Sequence, residues 1–184
     1  MRNLDADKKI AYRNITRIQA LIPKKLLLKE EKIAKKQAES SDSDINKLQQ
    51  LLKLTDELTS KISPITTCKS GCGNCCNINV SITKIEAQLI SLHTGKELNE
   101  SLPLNKADFH GEPCTFLIDN KCSIYAVRPF VCRRLVSFMP SDYWCNPELS
   151  LKIEVPLINF SELSRAFYAI ASRNEVKDIR AWFG

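Results

Sequence analysis

Eight cysteines are the residues of this 184-residue chain best suited to chemistry, and four of them stand close together. The motif Cys68-Lys-Ser-Gly-Cys72-Gly-Asn-Cys75-Cys76 places four thiols within nine residues. The two-residue spacing between Cys72 and Cys75 allows one loop to present two thiolates to a single metal ion. Glycine often supplies a positive φ in such a tight turn, and we expect this of Gly73 and Gly71. The other four thiols follow at Cys114, Cys122, Cys132 and Cys145.

The cysteines are predicted to bind metal rather than to form disulfides. Residues 1–22 alternate apolar and charged side chains and lack the apolar stretch of a signal peptide. No segment approaches the roughly 20 apolar residues that cross a bilayer. These patterns predict a cytoplasmic protein without a transmembrane segment. In a reducing compartment, clustered thiols bind metal more often than they pair.

The adjacent cysteines Cys75 and Cys76 bear on the number of metal centres. Neighbouring side chains on an extended backbone point to opposite sides, so these two are expected to face different ligand sets. Eight thiolates divide into two groups of four, each able to close a zinc site or to hold an iron–sulfur cluster. One polynuclear centre, or one centre with spare cysteines, is the alternative, and the spacing does not assign each cysteine to a centre.

Residues 1–62 are predicted to form a basic, amphipathic helical arm. Residues 1–61 hold 14 Lys and Arg against 9 Asp and Glu, and so carry most of the net charge of +6. Apolar residues recur every three to four positions on both sides of Pro23, and the polar stretch 40–44 predicts a turn before a further helix that Pro64 ends. We therefore predict an antiparallel pair of helices.

The lysines of the arm allow two interpretations. They could form a solvated face, or they could bind nucleic acid, anionic lipid or an acidic protein. Tyr12 is the only aromatic residue of the arm, which disfavours stacking on bases, so a protein partner ranks above nucleic acid. The lysines in question are Lys24, Lys25, Lys29, Lys32, Lys35 and Lys36.

Residues 63–184 are predicted to form a cysteine-cluster domain that binds metal. Thr83 and Glu86 have the spacing of a capping box, which predicts a helix that ends near Gly95. Segments 116–118 and 123–125 could pair as a short β-hairpin. Further helices are predicted around Cys132, at residues 163–170, and after a second capping box at residues 172–175. The predicted fold is mostly α, with irregular loops tied by metal.

The order of the cysteines and their neighbours resembles a known family. Cys68-x3-Cys72-Gly-x-Cys75-Cys76 is followed by Pro113-Cys114-x-Phe-Leu, Lys121-Cys122-x-Ile-Tyr, Arg128-Pro129-x-x-Cys132-Arg133 and Cys145. This series is similar to the YkgJ family of cysteine-cluster proteins, whose domain is described as chelating zinc or iron and also occurs in flagellin lysine N-methylases. The resemblance implies metal chelation by all eight cysteines, and it covers residues 68–145 but not the arm.

The first cluster also has the C-x-x-x-C-x-x-C spacing that resembles radical S-adenosylmethionine enzymes. Such enzymes need a barrel-like α/β domain, and a barrel takes about 200 residues or more. Only 108 residues follow Cys76, and they do not alternate strands with helices. We therefore set this interpretation aside.

Several side chains near the cysteines could support a metal centre. Basic residues could offset the negative charge of thiolate ligands, and Arg128 is preferred because it lies inside the family-like motif. His93 and His110 could serve as ligands but are not needed beside eight thiolates. Four aromatic residues are expected to pack around the site, Phe116, Tyr125, Phe130 and Trp144, and the other basic residues considered are Lys69, Lys121, Arg133 and Arg134.

Three functional hypotheses follow from the sequence. The first is a metal-binding protein with a structural or metal-handling centre of zinc or iron. The second is an iron–sulfur protein that transfers electrons or assists an enzyme such as a protein methyltransferase. The third is an adaptor that binds a macromolecule through the helical arm. The sequence assigns no enzymatic activity.

Overall fold

The protein is described by a computed structural model that covers residues 2–69, 71–100 and 108–184. The helices are α1 (Leu4–Thr16), α2 (Ile18–Leu21), α3 (Lys24–Glu39), α4 (Asp44–Ile62), α5 (Lys84–Thr94), α6 (Phe130–Arg134), α7 (Pro147–Ser150), α8 (Ser161–Ala171) and α9 (Ile179–Phe183). The strands are β1 (Ser81–Thr83), β2 (Leu117–Ile118), β3 (Lys121–Cys122) and β4 (Val176–Asp178), with 3-10 turns at Ser63–Ile65, Asn74–Asn77, Tyr125–Val127 and Asp142–Cys145. The prediction of a mostly α fold is confirmed.

Helices α3 and α4 form the predicted antiparallel hairpin. Pro23 precedes α3, and the Ser43 side chain accepts a hydrogen bond from the Asn46 N–H at the start of α4. The Gln37 side chain donates to the Lys47 carbonyl, and Lys29 pairs with Glu57 farther along both helices. The buried stripe of α4 includes Leu48, Leu51, Leu58 and Ile62, and the six lysines named above are all exposed.

The helical hairpin packs against the C-terminal part of the chain. Helix α8 lies on α3 and α4, and α6 lies on α4. Glu30 of α3 accepts hydrogen bonds from the N–H groups of Glu162 and Leu163 at the start of α8. One apolar core therefore joins residues of the first four helices to residues of α5, α6 and α8. The predicted boundary between residues 62 and 63 stays a prediction.

A second apolar cluster contains residues of α5, β1 and α9. Strand β1 pairs antiparallel with β4, and the cluster packs between α5 and α9 around Ile82, Ile90 and Trp182. Helix α5 begins at the predicted capping box of Thr83 and Glu86 and ends at Gly95, which has φ of +72°. This cluster supports the segments that carry Cys114, Cys122 and Cys132.

The helix predicted after residues 172–175 begins later than expected, because α9 carries Ile179 and Trp182 of the predicted helix but not Val176. Val176–Asp178 form β4 instead, because they pair with Ser81–Thr83 at a distance along the sequence that no local pattern shows. Helix α9 begins three residues later than β4, where the Asp178 side chain accepts from the Arg180 N–H.

A hairpin forms near residues 116–125 as predicted, but its second strand is Lys121–Cys122 and not the predicted segment 123–125. β2 pairs antiparallel with β3, so that Leu117 faces Cys122 and Ile118 faces Lys121. Asp119 and Asn120 both have positive φ, as a two-residue hairpin turn requires. Lys121 was expected in the turn and lies in the strand. Within the ranges 2–69, 71–100 and 108–184, no helix is long and apolar enough to cross a membrane.

Candidate metal centre

The loop that carries the first four cysteines contains two glycines with different roles. Gly71 has φ of +86°, in the left-handed region that favours glycine, and this prediction is confirmed. Gly73 has φ of −100°, so the prediction of a positive φ there is wrong. A β-carbon at Gly73 would lie 3.1 Å from Cδ1 of Leu117. A glycine at this position therefore lets the loop pack closely against the β2–β3 hairpin.

Cys75 and Cys76 lie in the 3-10 turn Asn74–Asn77 and not on extended backbone. The expectation that the two side chains point to opposite sides is wrong, because their thiols form a hydrogen bond with each other. The Cys76 thiol donates this bond, which lowers the pKa of Cys75 and raises that of Cys76. The Cys75 and Cys76 thiols are therefore in direct contact within the cysteine cluster.

Ser137 fixes one end of the first group of thiols. Its carbonyl accepts from the Thr67 N–H, and its own N–H donates to Cys68 Sγ at 3.3 Å. The Ser137 hydroxyl also hydrogen-bonds to the Cys145 side chain. Electrostatic repulsion from Cys68, Cys72 and Cys75 reaches the Cys145 thiol. We call Cys68, Cys72, Cys75 and Cys145 the first group.

The second group of thiols forms around the backbone contact between Cys76 and Cys114. The Cys114 N–H donates to the Cys76 carbonyl at 2.7 Å. The thiols of Cys76 and Cys132 both experience repulsion from Cys114 and Cys122. Each of these four cysteines comes from a different segment. We call Cys76, Cys114, Cys122 and Cys132 the second group.

The two groups meet at Cys75. Besides its hydrogen bond to Cys76, the Cys75 thiolate repels charge on Cys68 and Cys145 in the first group. It also repels charge on Cys122 and Cys132 in the second group. The thiols thus influence one another as one neighbourhood, in which Cys75 acts on members of both groups.

Burial controls the protonation of most of these thiols. Desolvation is the largest cause of a raised pKa for five of them, and for Cys145 it raises the pKa to about 11. The thiols are therefore held neutral near pH 7, and metal binding must displace their protons. The other four are Cys68, Cys114, Cys122 and Cys132.

Arg180 of α9 fixes the backbone of the second group, and sequence analysis missed it. Its buried guanidinium donates to the carbonyls of Cys76, Ile78 and Glu112 and lies 2.9 Å from Asp178 Oδ1. It thereby holds together the two segments that carry Cys76 and Cys114. The sequence shows only that residue 180 is basic. Its partners are backbone carbonyls, which every residue has, so no motif identifies them.

Arg133 and Glu86 fix helix α6, which carries Cys132. The buried Arg133 guanidinium donates to the carbonyls of Arg128 and Ala126 and to the carboxylate of Asp56 on α4. Arg133 therefore ties the segment before α6 to the helical hairpin. Arg133 thus holds backbone in place, and its charge, which was predicted to offset that of thiolates, lowers the pKa of Cys122 against a larger rise from burial.

The carboxylate of Glu86 joins α5 to α6. It accepts from the Thr83 N–H at the start of α5 and from the Phe130 N–H at the start of α6, both at 2.8 Å. One buried side chain thus satisfies backbone donors of two helices. The capping box was predicted from the sequence, but the bond to Phe130 was not.

The other basic residues near the cysteines divide into two classes. Arg128 lowers the pKa of Cys68, Cys75 and Cys122 through its charge, in each case after larger effects of burial or hydrogen bonding. Arg134 contacts Asn159 and Ser164 instead, at 3.4 and 3.5 Å. Lys69 and Lys121 are exposed. Of the residues predicted to offset thiolate charge, Arg128 is the one that acts on several thiols.

The two histidines considered as metal ligands make other contacts or are exposed. His93 is exposed on α5, and a ring nitrogen of His110 lies 2.7 Å from the Pro147 carbonyl oxygen. Of the four aromatic residues expected to pack, Phe116, Phe130 and Trp144 are buried and confirm the prediction. Tyr125 is exposed instead, with the Arg128 guanidinium 4.1 Å from its ring centroid.

The donor set fits zinc or iron in its chemistry. Four-thiolate sites are common for zinc, and cysteine thiolates hold iron–sulfur clusters. All eight cysteines are free thiols. Across the described parts of the chain, however, no three His, Cys, Asp or Glu side chains are arranged so that they could hold a metal ion. The thiols are gathered but not closed around a point, so closure requires cysteine side chains to turn.

Comparison with protein families supports metal binding by this region. A family model named CxxCxxCC matches residues 67–146 and is described as "Putative zinc- or iron-chelating domain". The comparisons with curated proteins and with solved structures give no match. The matched segment contains all eight cysteines, together with Arg128 and the α6 helix. The region is therefore similar to a domain family whose described property is the chelation of zinc or iron.

Proposed function

We propose that residues 68–145 form a metal centre in which the eight cysteines bind zinc or iron. The observation that carries this proposal is the gathering of eight free thiols from five short segments of the chain. Burial keeps most of them neutral until a metal displaces the protons. Each group of four thiolates suits one tetrahedral zinc ion or one iron–sulfur cluster.

The preferred role of the centre is structural or metal-handling. The elements that carry cysteines span only two to five residues, and their buried apolar side chains are those of Phe130 and Trp144. Metal binding contributes folding free energy directly where the apolar core is small. A reducing, cytoplasmic compartment would keep the thiols available for this role.

An iron–sulfur centre is the second candidate, and the same donor set supports it. In that case the protein would transfer electrons or assist an enzyme such as a protein methyltransferase. Thiolate ligation by four cysteines serves both candidates equally, so the metal itself must distinguish them. The third candidate, an adaptor that binds through the helical arm, has the six exposed lysines in its favour.

The test is elemental analysis with an absorption spectrum on anaerobically purified protein. We expect about two equivalents of zinc and no visible band, or iron with broad absorption near about 400 nm. Cys145→Ser and Cys132→Ser should each remove about half of the metal, because each removes one ligand of a different group. A protein that is isolated without metal and does not bind added zinc or iron would refute the proposal.

A further inference from the structure

The Arg128 side chain is held by contacts with two residues. Its guanidinium lies over the ring of Tyr125, 4.1 Å from the centroid. Its Nη2 atom lies 3.6 Å from Oδ1 of Asp56 on helix α4. A stacked and ion-paired guanidinium keeps a defined orientation, which a lysine ammonium at the same position would not. The orientation of Arg128 therefore depends on the helical hairpin as well as on its own loop.

The Nε–H group of Arg128 has no acceptor. Among the residues that the structure describes, Arg128 Nε is a buried atom without a hydrogen-bond partner. Native proteins leave few buried donors unpaired, and those that remain call for an explanation such as an ion or a ligand. A metal-bound thiolate would be a suitable acceptor, since it carries negative charge and accepts hydrogen bonds at sulfur.

The thiols that sense the charge of Arg128 belong to both groups. They are Cys68 and Cys75 of the first group and Cys122 of the second. Arg128 is thus near the place where the two groups meet, around Cys75. Two sites of four thiolates around divalent zinc would each carry an excess charge of about −2. A single cation between them would counter part of both charges.

We infer that Arg128 donates its Nε–H to a cysteine sulfur of the loaded centre and that Asp56 orients it for this role. The inference rests on the proposed function, because the acceptor is a metal-bound thiolate. It assigns Arg128 as a positioning and charge-balancing residue for both groups. It also links α4 of the helical hairpin to the properties of the metal centre through Asp56, which pairs with Arg133 as well as with Arg128.

The experiment uses cobalt(II) as the probe in the full-length protein. Wild type is compared with Arg128→Gln, Arg128→Lys and Asp56→Asn by absorption spectroscopy of the cobalt–thiolate bands and by chelator competition. Arg134→Gln is the matched control, because Arg134 is a nearby arginine that contacts Asn159 and Ser164 instead. Circular dichroism of each metal-free variant monitors folding.

We expect Arg128→Gln to weaken cobalt binding by about 10- to 100-fold and to shift the charge-transfer bands. Arg128→Lys should recover only part of the affinity, since it keeps the charge without the guanidinium. Asp56→Asn should have a smaller effect in the same direction, and Arg134→Gln should match wild type.

The outcomes separate this inference from the proposed function. Wild type that does not bind cobalt would refute the metal centre itself. Wild type that binds, with Arg128→Gln equal to it in affinity and spectrum, would overturn the role of Arg128 alone. An equal loss in Arg134→Gln would also overturn it, since any nearby cation would then suffice. Should Arg128→Gln not fold, Arg128→Lys decides, and affinity and bands equal to wild type would contradict the hydrogen bond.

Discussion

The helical arm and the cysteine region of this protein are stabilised in different ways. Helices α1, α3 and α4 of the arm span 13, 16 and 19 residues, whereas the elements that carry cysteines span two to five. Leu48, Leu51 and Leu58 of α4 are 0% exposed. Long amphipathic helices can thus build a core from apolar burial, which short turns cannot.

Polar side chains hold the cysteine region instead. Arg180, Arg133 and Glu86 are buried and bind backbone groups of the segments that carry Cys76, Cys114 and Cys132. Each of these side chains hydrogen-bonds to backbone groups that a longer helix or strand would otherwise satisfy. The comparison indicates that the arm is held mainly by its long apolar helices, while the cysteine segments combine a smaller apolar cluster with a few buried polar contacts. We propose that metal adds to these contacts.

Metal removal should produce the largest difference between the arm and the cysteine region. A chelator is expected to raise hydrogen exchange in residues 71–78 and 114–145, because metal supplies folding free energy where there is little apolar core. The amides of α4 should stay protected. Hydrogen–deuterium exchange with mass spectrometry measures both regions in one experiment. Equal loss of protection in α4 and the cysteine region would show that the two are not stabilised separately.

Removal of a polar contact should have the next largest effect. Arg180→Met is expected to lower the free energy of unfolding by about 3 to 5 kcal/mol, because Asp178 and several carbonyls lose a buried cationic partner. Metal content should fall with it. Urea unfolding and elemental analysis measure the two effects. Arg173→Met is the control, since the Arg173 ion pair with Asp44 is largely exposed and should matter little.

A cavity in the arm should reduce stability without changing the metal. Leu58→Ala is expected to lower the free energy of unfolding by about 2 to 5 kcal/mol. The metal content per folded chain should stay at the wild-type value, because Leu58 lies on α4, outside the segment that carries the cysteines, although its core extends to α6 and α8. Leu92→Ala is the control, since Leu92 is 79% exposed. Loss of metal in Leu58→Ala under folding conditions would contradict the separation of the two regions.

Sequence patterns predicted the arm better than the cysteine region. The spacing of apolar residues predicted the helical hairpin, and the capping residues predicted the starts of α4 and α5. These signals are local, since residues three or four apart share one face of a helix. The turn at Asp119 and Asn120 is local in the same way, because both residues tolerate positive φ.

The contacts that shape the candidate site are not local. Arg180 binds the carbonyl of Cys76, and β4 pairs with a strand about 95 residues earlier in the chain. No spacing rule relates such partners. The Ser172 to Glu175 pattern suggested a helix start that the pairing of Val176 with Thr83 replaces. The cysteines were chosen from the sequence, but their grouping needed the backbone path that brings the segments together.

The central claim is that all eight cysteines bind metal, and a count of reactive thiols tests it most directly. The anaerobic, metal-loaded protein is treated with a thiol reagent under native conditions, before and after a chelator removes the metal. Our account predicts almost no reactive thiols before removal and all eight afterwards. Several reactive thiols in fully loaded protein would contradict it, because those cysteines would then be spare.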